Sequence, residues 1–555
     1  MASKISRRKF LEKSAIATAG LAIAPSSIVR GKNASYQSPT CSLDSSSRCS
    51  GWQSQLVQIT PDGSIVYVAD KTGNAIPDFS HAGYGGGNVP LPTNIPVVKT
   101  ISPIAGDNTE HIQAAIDAVS RIPLSDTGYR GALRLEAGVY TVSSPIHVSE
   151  SGIVIIGAGQ ESDPAQNTVI RRIGTLRAPV IQIGKSIRGG SFATEIADTR
   201  TSVITPRVIV GAYSLDVENA SQFCVGDAVV IVQPSTKAWL ASVDFGGAFP
   251  ERSRNNTVWQ PGEIDIRYHR YIVAINRNTI TFDAPVYDNL NRQLSQSYVA
   301  KFDDVNVTRN VGIEKIFVDI ETAGGDSEEH ARDCIVFRRV ENCWARCVTT
   351  QHFFYAGILF SNGSTRSTAI DCRAVEPRGI RTGARFYNFC VQEAQLILFE
   401  NCFANGGRHS YISNGCSLDS GIVFLNCVCD NATDTNEGHR RWPQALLFDN
   451  LHVINPASKT TFNRAIGLYN RGSWGTAHGW AAAHSVAWNC VVPEGARIVI
   501  QKPPGAQNYG IGGIGEITGQ GPFEASAGYI EGANKPGLVP RSLYKAQLNQ
   551  RIRGL

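Results

Sequence analysis

Arginine, histidine and tyrosine gather at the margins of short apolar runs in the second half of the chain. Arg385-Phe386-Tyr387 precedes one run, and Arg408-His409-Ser410-Tyr411 follows the run QLILFENC. Glu437-Gly438-His439-Arg440-Arg441-Trp442 precedes ALLFDN, and Asn470-Arg471 and His478-Gly479-Trp480 come after it. A guanidinium fork holds a carboxylate bidentately. A neutral imidazole takes a proton, and a phenol gives one. Together these are the parts for β-elimination on a uronic acid. The substrate carboxylate must be neutralised to stabilise the charge that develops next to it. A base must then take the weakly acidic C5 proton, and an acid must protonate the leaving oxygen. The expected roles are Arg385 and Arg408 as carboxylate clamps, His409 or His439 as base, and Tyr387 as acid. Arg440, Arg441, Trp442, Arg471, His478 and Trp480 would contact the substrate, and Glu329-His330 is the second place to look. The competing explanation is structural: polar ladders and satisfied histidines also occur in repetitive β folds.

A glycosidase needs two carboxylates at a defined separation. Asp303, Asp304, Asp319, Glu321, Asp326, Glu328 and Glu329 do not recur at matching positions in the repeat described below. The leading expectation is therefore a polysaccharide lyase. A glycoside hydrolase on the same scaffold and a non-catalytic polysaccharide-binding solenoid are the alternatives. A Ca²⁺-type cation could assist, yet no carboxylate cluster demands one.

The element that must position these groups is a coil that repeats. Asn or Asp followed by Cys recurs at Asn342-Cys343, Asp371-Cys372, Asn401-Cys402, Asn426-Cys427 and Asn489-Cys490, mostly after a short apolar strand. With Asp449-Asn450 and Asn470 included, the steps run from 19 to 30 residues. Stacked β-coils give such a period. Equivalent residues of successive coils then lie about 4.8 Å apart, so polar groups repeated at coil spacing converge on one strip. A small thiol stacks well in an inward column, and Asn tolerates the left-handed backbone of a corner. Asn-Gly pairs at 362–363, 405–406 and 414–415 would suit the hairpins of a β-sandwich, but a sandwich does not explain the Asx-Cys repeat.

Earlier in the chain, Asp107-Asn108-Thr109 opens HIQAAIDAVSRI, where Ile112, Ala115, Ile116 and Val119 fall at helical spacing. GALRL, AGVYTV and IVIIGAG follow. This order of motifs resembles the opening of pectate-lyase-superfamily proteins. The stretches EEHARD, GRHSYISNG, HRRWPQALLFDN, NRGSWGTAHGWAAAHSVAWNC, PPGAQNYGIG and PRSLYKAQL likewise resemble bacterial members of that superfamily. The resemblance implies an all-β, right-handed parallel β-helix with a helix, at 108–121, covering its first coil. It supports fold far more than activity.

Residues 1–30 carry a basic start, a short apolar stretch and Ala22-Ile23-Ala24, the layout of a secretory signal. Ser6-Arg7-Arg8-Lys9-Phe10-Leu11 resembles a twin-arginine export motif. The expectation is an exported, periplasmic or secreted protein without a membrane span. An N-terminal extension at 31–94 leads to the first coils at 95–204. An antiparallel insertion at 205–300, the main coils at 301–510 and a tail at 511–555 complete the division. Trp239, Phe245, Phe249 and Trp259 in the insertion could stack on sugars or form a small core under a loop. The net charge of +5 suits an anionic partner, an acidic polysaccharide. No Lys/Arg run points to nucleic acid, and a monomer is expected. Most of the 13 cysteines sit in strand-like runs and read as packed thiols. Cys41 and Cys49 flank a Ser-rich loop and could pair.

Overall fold

The computed structural model describes residues 51–185, 194–247, 258–457 and 463–554. The expected export signal at residues 1–30, Cys41, Cys49 and Phe249 lie outside the described residues.

Parallel strands stack in register as a right-handed parallel β-helix, one ten-stranded sheet forming a face and a twenty-stranded set the rest. The inward column shows how sequence builds the stack. Ile155, Ile313, Ala345, Ala369, Phe399, Phe424 and Phe448 are register partners in that order. All except Ile155, at 2% exposure, are completely buried. The rings of Phe399 and Phe424 stack at 5.3 Å, and those of Phe424 and Phe448 at 5.1 Å.

The Asx-Cys repeat is the corner between two strands of one coil. Asn401 separates Gln395–Glu400 from Phe403–Asn405 and has φ 54°. Asn342, Asp371, Asn426 and Asn489 share that left-handed conformation, which Asn and Asp adopt more readily than other side chains. The following cysteine turns inward. The Cys402 thiol lies between those of Cys372 and Cys427 and donates to the Glu400 carbonyl at 3.5 Å. The eleven described cysteines are free.

Helix Thr109–Ser120 buries Ile112, Ala115, Ile116 and Val119 against the first coils. It covers the apolar end that a solenoid's terminal coil would otherwise expose. An antiparallel sheet between Thr194 and Asp303 contains Ala228–Gln233, Ile266–Asn276 and Tyr298–Asp303. Its aromatic residues form a core: Trp239 and Trp259 meet Trp442 edge-on at 5.6 and 6.4 Å. No helix among the described residues is long and apolar enough to cross a membrane.

Candidate active site

The ten-stranded sheet carries an outward column of register partners, Val336, Leu359, Cys390, Ile412, Glu437 and Gly467. Each of these side chains but one is apolar or a thiol. Glu437 is the exception and is fully buried. Around it stand the groups that the sequence singled out.

His439 Nδ1 lies 2.9 Å from Glu437 Oε1, and His409 Nδ1 lies 3.3 Å from the same oxygen. Arg471 contacts both Glu437 Oε1 and His439 Nδ1, and the Tyr469 hydroxyl donates to Glu437 Oε2. Gly467 makes room for that tyrosine, since a Cβ there would stand 1.9 Å from the Tyr469 ring. Tyr387 is the register partner of His409. Its ring centre is 6.0 Å from that of His409 and 6.2 Å from that of His439. His478 continues the aromatic row, 4.8 Å from His439.

The tautomers follow from the partners. His409 Nδ1 donates to the Thr435 carbonyl at 2.6 Å, so its lone pair is on Nε2. His439 Nδ1 faces the Glu437 carboxylate and the Arg471 guanidinium at once; the tautomer with its proton on Nδ1, paired to Glu437, leaves the lone pair on Nε2. Burial, then the Arg408 charge, push His409 down; burial, then Arg471, do the same to His439. His478 is lowered to about 2 by burial and Arg471. Burial thus pushes all three imidazoles toward the neutral form. Burial raises Glu437 to about 7 against the pull of Arg471, and burial raises Tyr387 to about 12, so its phenol keeps its proton. Burial raises Asp434, but His409, 3.7 Å away, and then Arg464 outweigh it and hold that carboxyl low.

Several buried polar atoms here have no hydrogen-bond partner among the described residues: Arg408 Nη1, His409 Nε2, Arg471 Nε and His478 Nδ1. Buried polar groups are nearly always paired, so their concentration marks a place where a polar ligand would complete the bonding.

The remaining expected site residues are engaged with other partners, although Arg440 and Arg441 stay close enough to act on His478 and Arg385 close enough to act on Tyr387. Arg385 is not free to clamp a substrate, because it grips Glu328 with both arms, the Nη2–Oε2 contact being 2.8 Å. His330 is fully buried beside Phe354, in surroundings that include Glu328 rather than the histidine cluster. Trp442 is core, donating to Asp288 at 2.5 Å. Arg440 donates to the Asn414 carbonyl at 3.3 Å and Arg441 to that of Thr476 at 2.7 Å. Trp480 lines a neighbouring cavity. Glu437, Asp434, Arg464 and Tyr469 were not among the expected site residues. Their signal is position: Asp434 and Glu437 flank Asn436 at the start of a coil strand, and Arg464 opens the next.

His409, Glu437 and His439 could supply ligand atoms within 4.8 Å of one another. Two imidazoles with one carboxylate suit a transition metal, whereas Ca²⁺ prefers six to eight oxygens. The Arg471 guanidinium, in contact with Glu437 and His439, already provides a cation there.

No family profile and no curated protein matches the chain. Solved structures similar in fold include the tailspike protein of Pseudomonas phage LKA1, at 12% identity over 77% of this chain and 74% of that one, TM-score 0.38. An alginate lyase from Paenibacillus sp. FPU-7 is 8% identical over 80% of this chain and 99% of its own, TM-score 0.36. DFA-IIIase from Arthrobacter chlorophenolicus A6 is 9% identical over 79% of this chain and 93% of its own, TM-score 0.32.

Proposed function

We infer that this β-helix cleaves an acidic, uronate-containing polysaccharide by β-elimination. The observation that supports it is the Glu437–His439 pair at 2.9 Å, with Tyr387 beside it and arginines around it. Glu437 orients His439, whose Nε2 takes the C5 proton. Arg408, with a donor to spare, neutralises the uronate carboxylate next to the carbanionic centre. The C4–O bond breaks as the C4=C5 double bond forms, and the Tyr387 hydroxyl returns a proton to the leaving oxygen. His409 is the less suitable base, because its ring is fully buried whereas that of His439 retains 7% exposure.

The test is incubation of the purified protein with a panel of uronate polymers. Elimination produces an unsaturated uronate that absorbs in the ultraviolet, and His439→Ala should abolish that signal. Absence of the chromophore on every acidic glycan counts against elimination. One observation favours a hydrolase instead: Glu437 is pushed up and Asp434 down, the divergence that assigns acid and base roles to two carboxyls. New reducing ends without the chromophore would select that reading.

A further inference from the structure

Next to the histidine cluster is a separate cavity of about 380 Å³, within the range of ligand pockets. Asp244, Gly247, Asn470, Trp480, Lys502 and Glu524 are on its walls. Two short segments join the two sites. Arg471 belongs to the cluster and its neighbour Asn470 to the cavity; His478 belongs to the cluster and Trp480 to the cavity. Consecutive Cα atoms are about 3.8 Å apart, so cluster and cavity share a wall.

The Trp480 side chain is 97% buried by its 3% residual exposure, yet its indole N–H has no partner among the described residues. An indole N–H can only donate, and a buried donor left unpaired is expensive. Gly247 keeps it uncovered: a Cβ there would stand 3.0 Å from Trp480 Nε1 and 2.6 Å from Asn470 Nδ2. The rim adds exposed acceptors, Asp244 and Glu524, and an exposed donor, Lys502. A carboxylate ligand would meet two acids and one ammonium. A ring carrying only hydroxyls would donate hydrogen bonds to the acids and accept them from Trp480 and Lys502.

We propose that this cavity is a subsite for an uncharged sugar ring. It rests on the polysaccharide reading above and sharpens it: the substrate is a heteropolymer in which a neutral sugar neighbours the uronate, rather than a homopolyuronate. The cluster, rich in guanidinium, takes the acidic ring, and the cavity takes the neutral one.

The pocket can be tested without cleavage. The protein has 8 tryptophans. Labelled with 5-fluorotryptophan, it should give a ¹⁹F signal for Trp480 that is assigned by its disappearance in Trp480→Phe. Titration with methyl glycosides of glucose, galactose, mannose and rhamnose should shift that signal for at least one sugar. Methyl glucuronoside and methyl galacturonoside should shift it about tenfold more weakly. Trp480→Phe keeps the ring and loses the donor, so sugar binding, followed by calorimetry, should weaken about five- to tenfold, one hydrogen bond's worth. Gly247→Ala, whose Cβ would cover the indole while also displacing Asn470 and straining a left-handed backbone (φ 63°), should weaken sugar binding at least as much. Uronate glycosides shifting the signal as strongly as neutral ones, or no glycoside shifting it, overturns the proposal. Failure of elimination as such is read separately, from the ultraviolet assay, which does not depend on this signal.

Discussion

A neutral imidazole beside a buried carboxylate is a base whose strength depends on that carboxylate's charge. His439 and Glu437 form such a pair at 2.9 Å. On the proposed elimination, replacing His439 with Ala should lower turnover about 10²-fold or more, and Tyr387→Phe by a similar factor, since each would remove the general base or acid; both variants should keep the wild-type circular dichroism. Burial raises Glu437 from its ordinary 4.5 to about 7. Between those values the folded protein holds a proton that the unfolded chain has released, so the contribution to stability is greatest at low pH and falls as pH rises through about 7. Activity should move the other way. Ionised Glu437 orients His439 and holds Arg471, so turnover should rise as pH passes about 7. Glu437→Gln should remove that limb of the pH–rate profile and flatten the fall of melting temperature with pH. A profile that keeps its limb in the variant assigns it to another group. These residues were only partly legible in the sequence. Tyr387 and His409 open strands one coil apart and stacking makes them partners; His439 follows Gly438, the partner of Ser413 at the other end of that strand, and meets His409 through its side chain. Arg385 occupies a similar margin, but its guanidinium turns to Glu328, and no periodicity reveals that partner. Glu437 stands beside His439 in the sequence, but its part in the site is not legible there, because no acid recurs at its position on the neighbouring coils, where Ile412 and Gly467 stand.

At the scale of the strand, stability comes from columns rather than from single contacts. Phe424 stacks between Phe399 and Phe448 and meets Tyr411 edge-on at 5.5 Å. Phe424→Ala should therefore cost about 3–5 kcal/mol, the range for truncating a fully buried phenylalanine, measured by chemical denaturation. A much smaller loss would mean that neighbouring coils collapse into the space. The corners are where the sequence speaks most plainly, because a left-handed residue followed by an inward thiol restricts the choice to few residue types. The thiols have a consequence that can be counted. The eleven described cysteines are free, and burial pushes the Cys343 and Cys490 thiols up to about 12. The eight buried thiols should be inert to thiol reagents in the folded protein while exposed Cys224 reacts, and at least eleven should react once it is denatured without reductant. The antiparallel sheet was legible as alternating strands, but not its partners. Trp442, far along the chain, completes the core of Trp239 and Trp259, and such a long-range contact leaves no local pattern.

At the scale of the whole molecule, the two described ends of the chain meet beside the solenoid. Trp52–Gln53 pairs in parallel with Leu538–Val539. The helix Leu543–Arg553 then fastens the segment around residues 65–87. Gln547 donates to the Tyr67 hydroxyl and the Pro77 carbonyl, each at 2.9 Å, and accepts from the Phe79 amide at 2.9 Å. Arg551 donates to the Ser80 and Gly86 carbonyls, and Tyr544 to that of Ala82. The helix is held in turn by Asp449, which accepts from the Ser542 hydroxyl at 2.7 Å and the Tyr544 amide at 2.8 Å. Removing residues 541–555 takes away every one of these bonds. It leaves the coils around Phe399 and Phe424 with their stacking neighbours, because a solenoid coil depends chiefly on the coils adjacent to it. Limited proteolysis of the truncated chain should thus cut first within residues 51–95, while fragments spanning 330–500 persist. Asp449→Ala, which loosens the helix without deleting it, should give the same order of cleavage at a slower rate, consistent with the loss of about 1–3 kcal/mol when a buried acceptor is removed. If the coils were digested as fast as the N-terminal segment, the fastening would instead support the entire fold cooperatively, and the division of labour between coil stacking and end closure would be wrong.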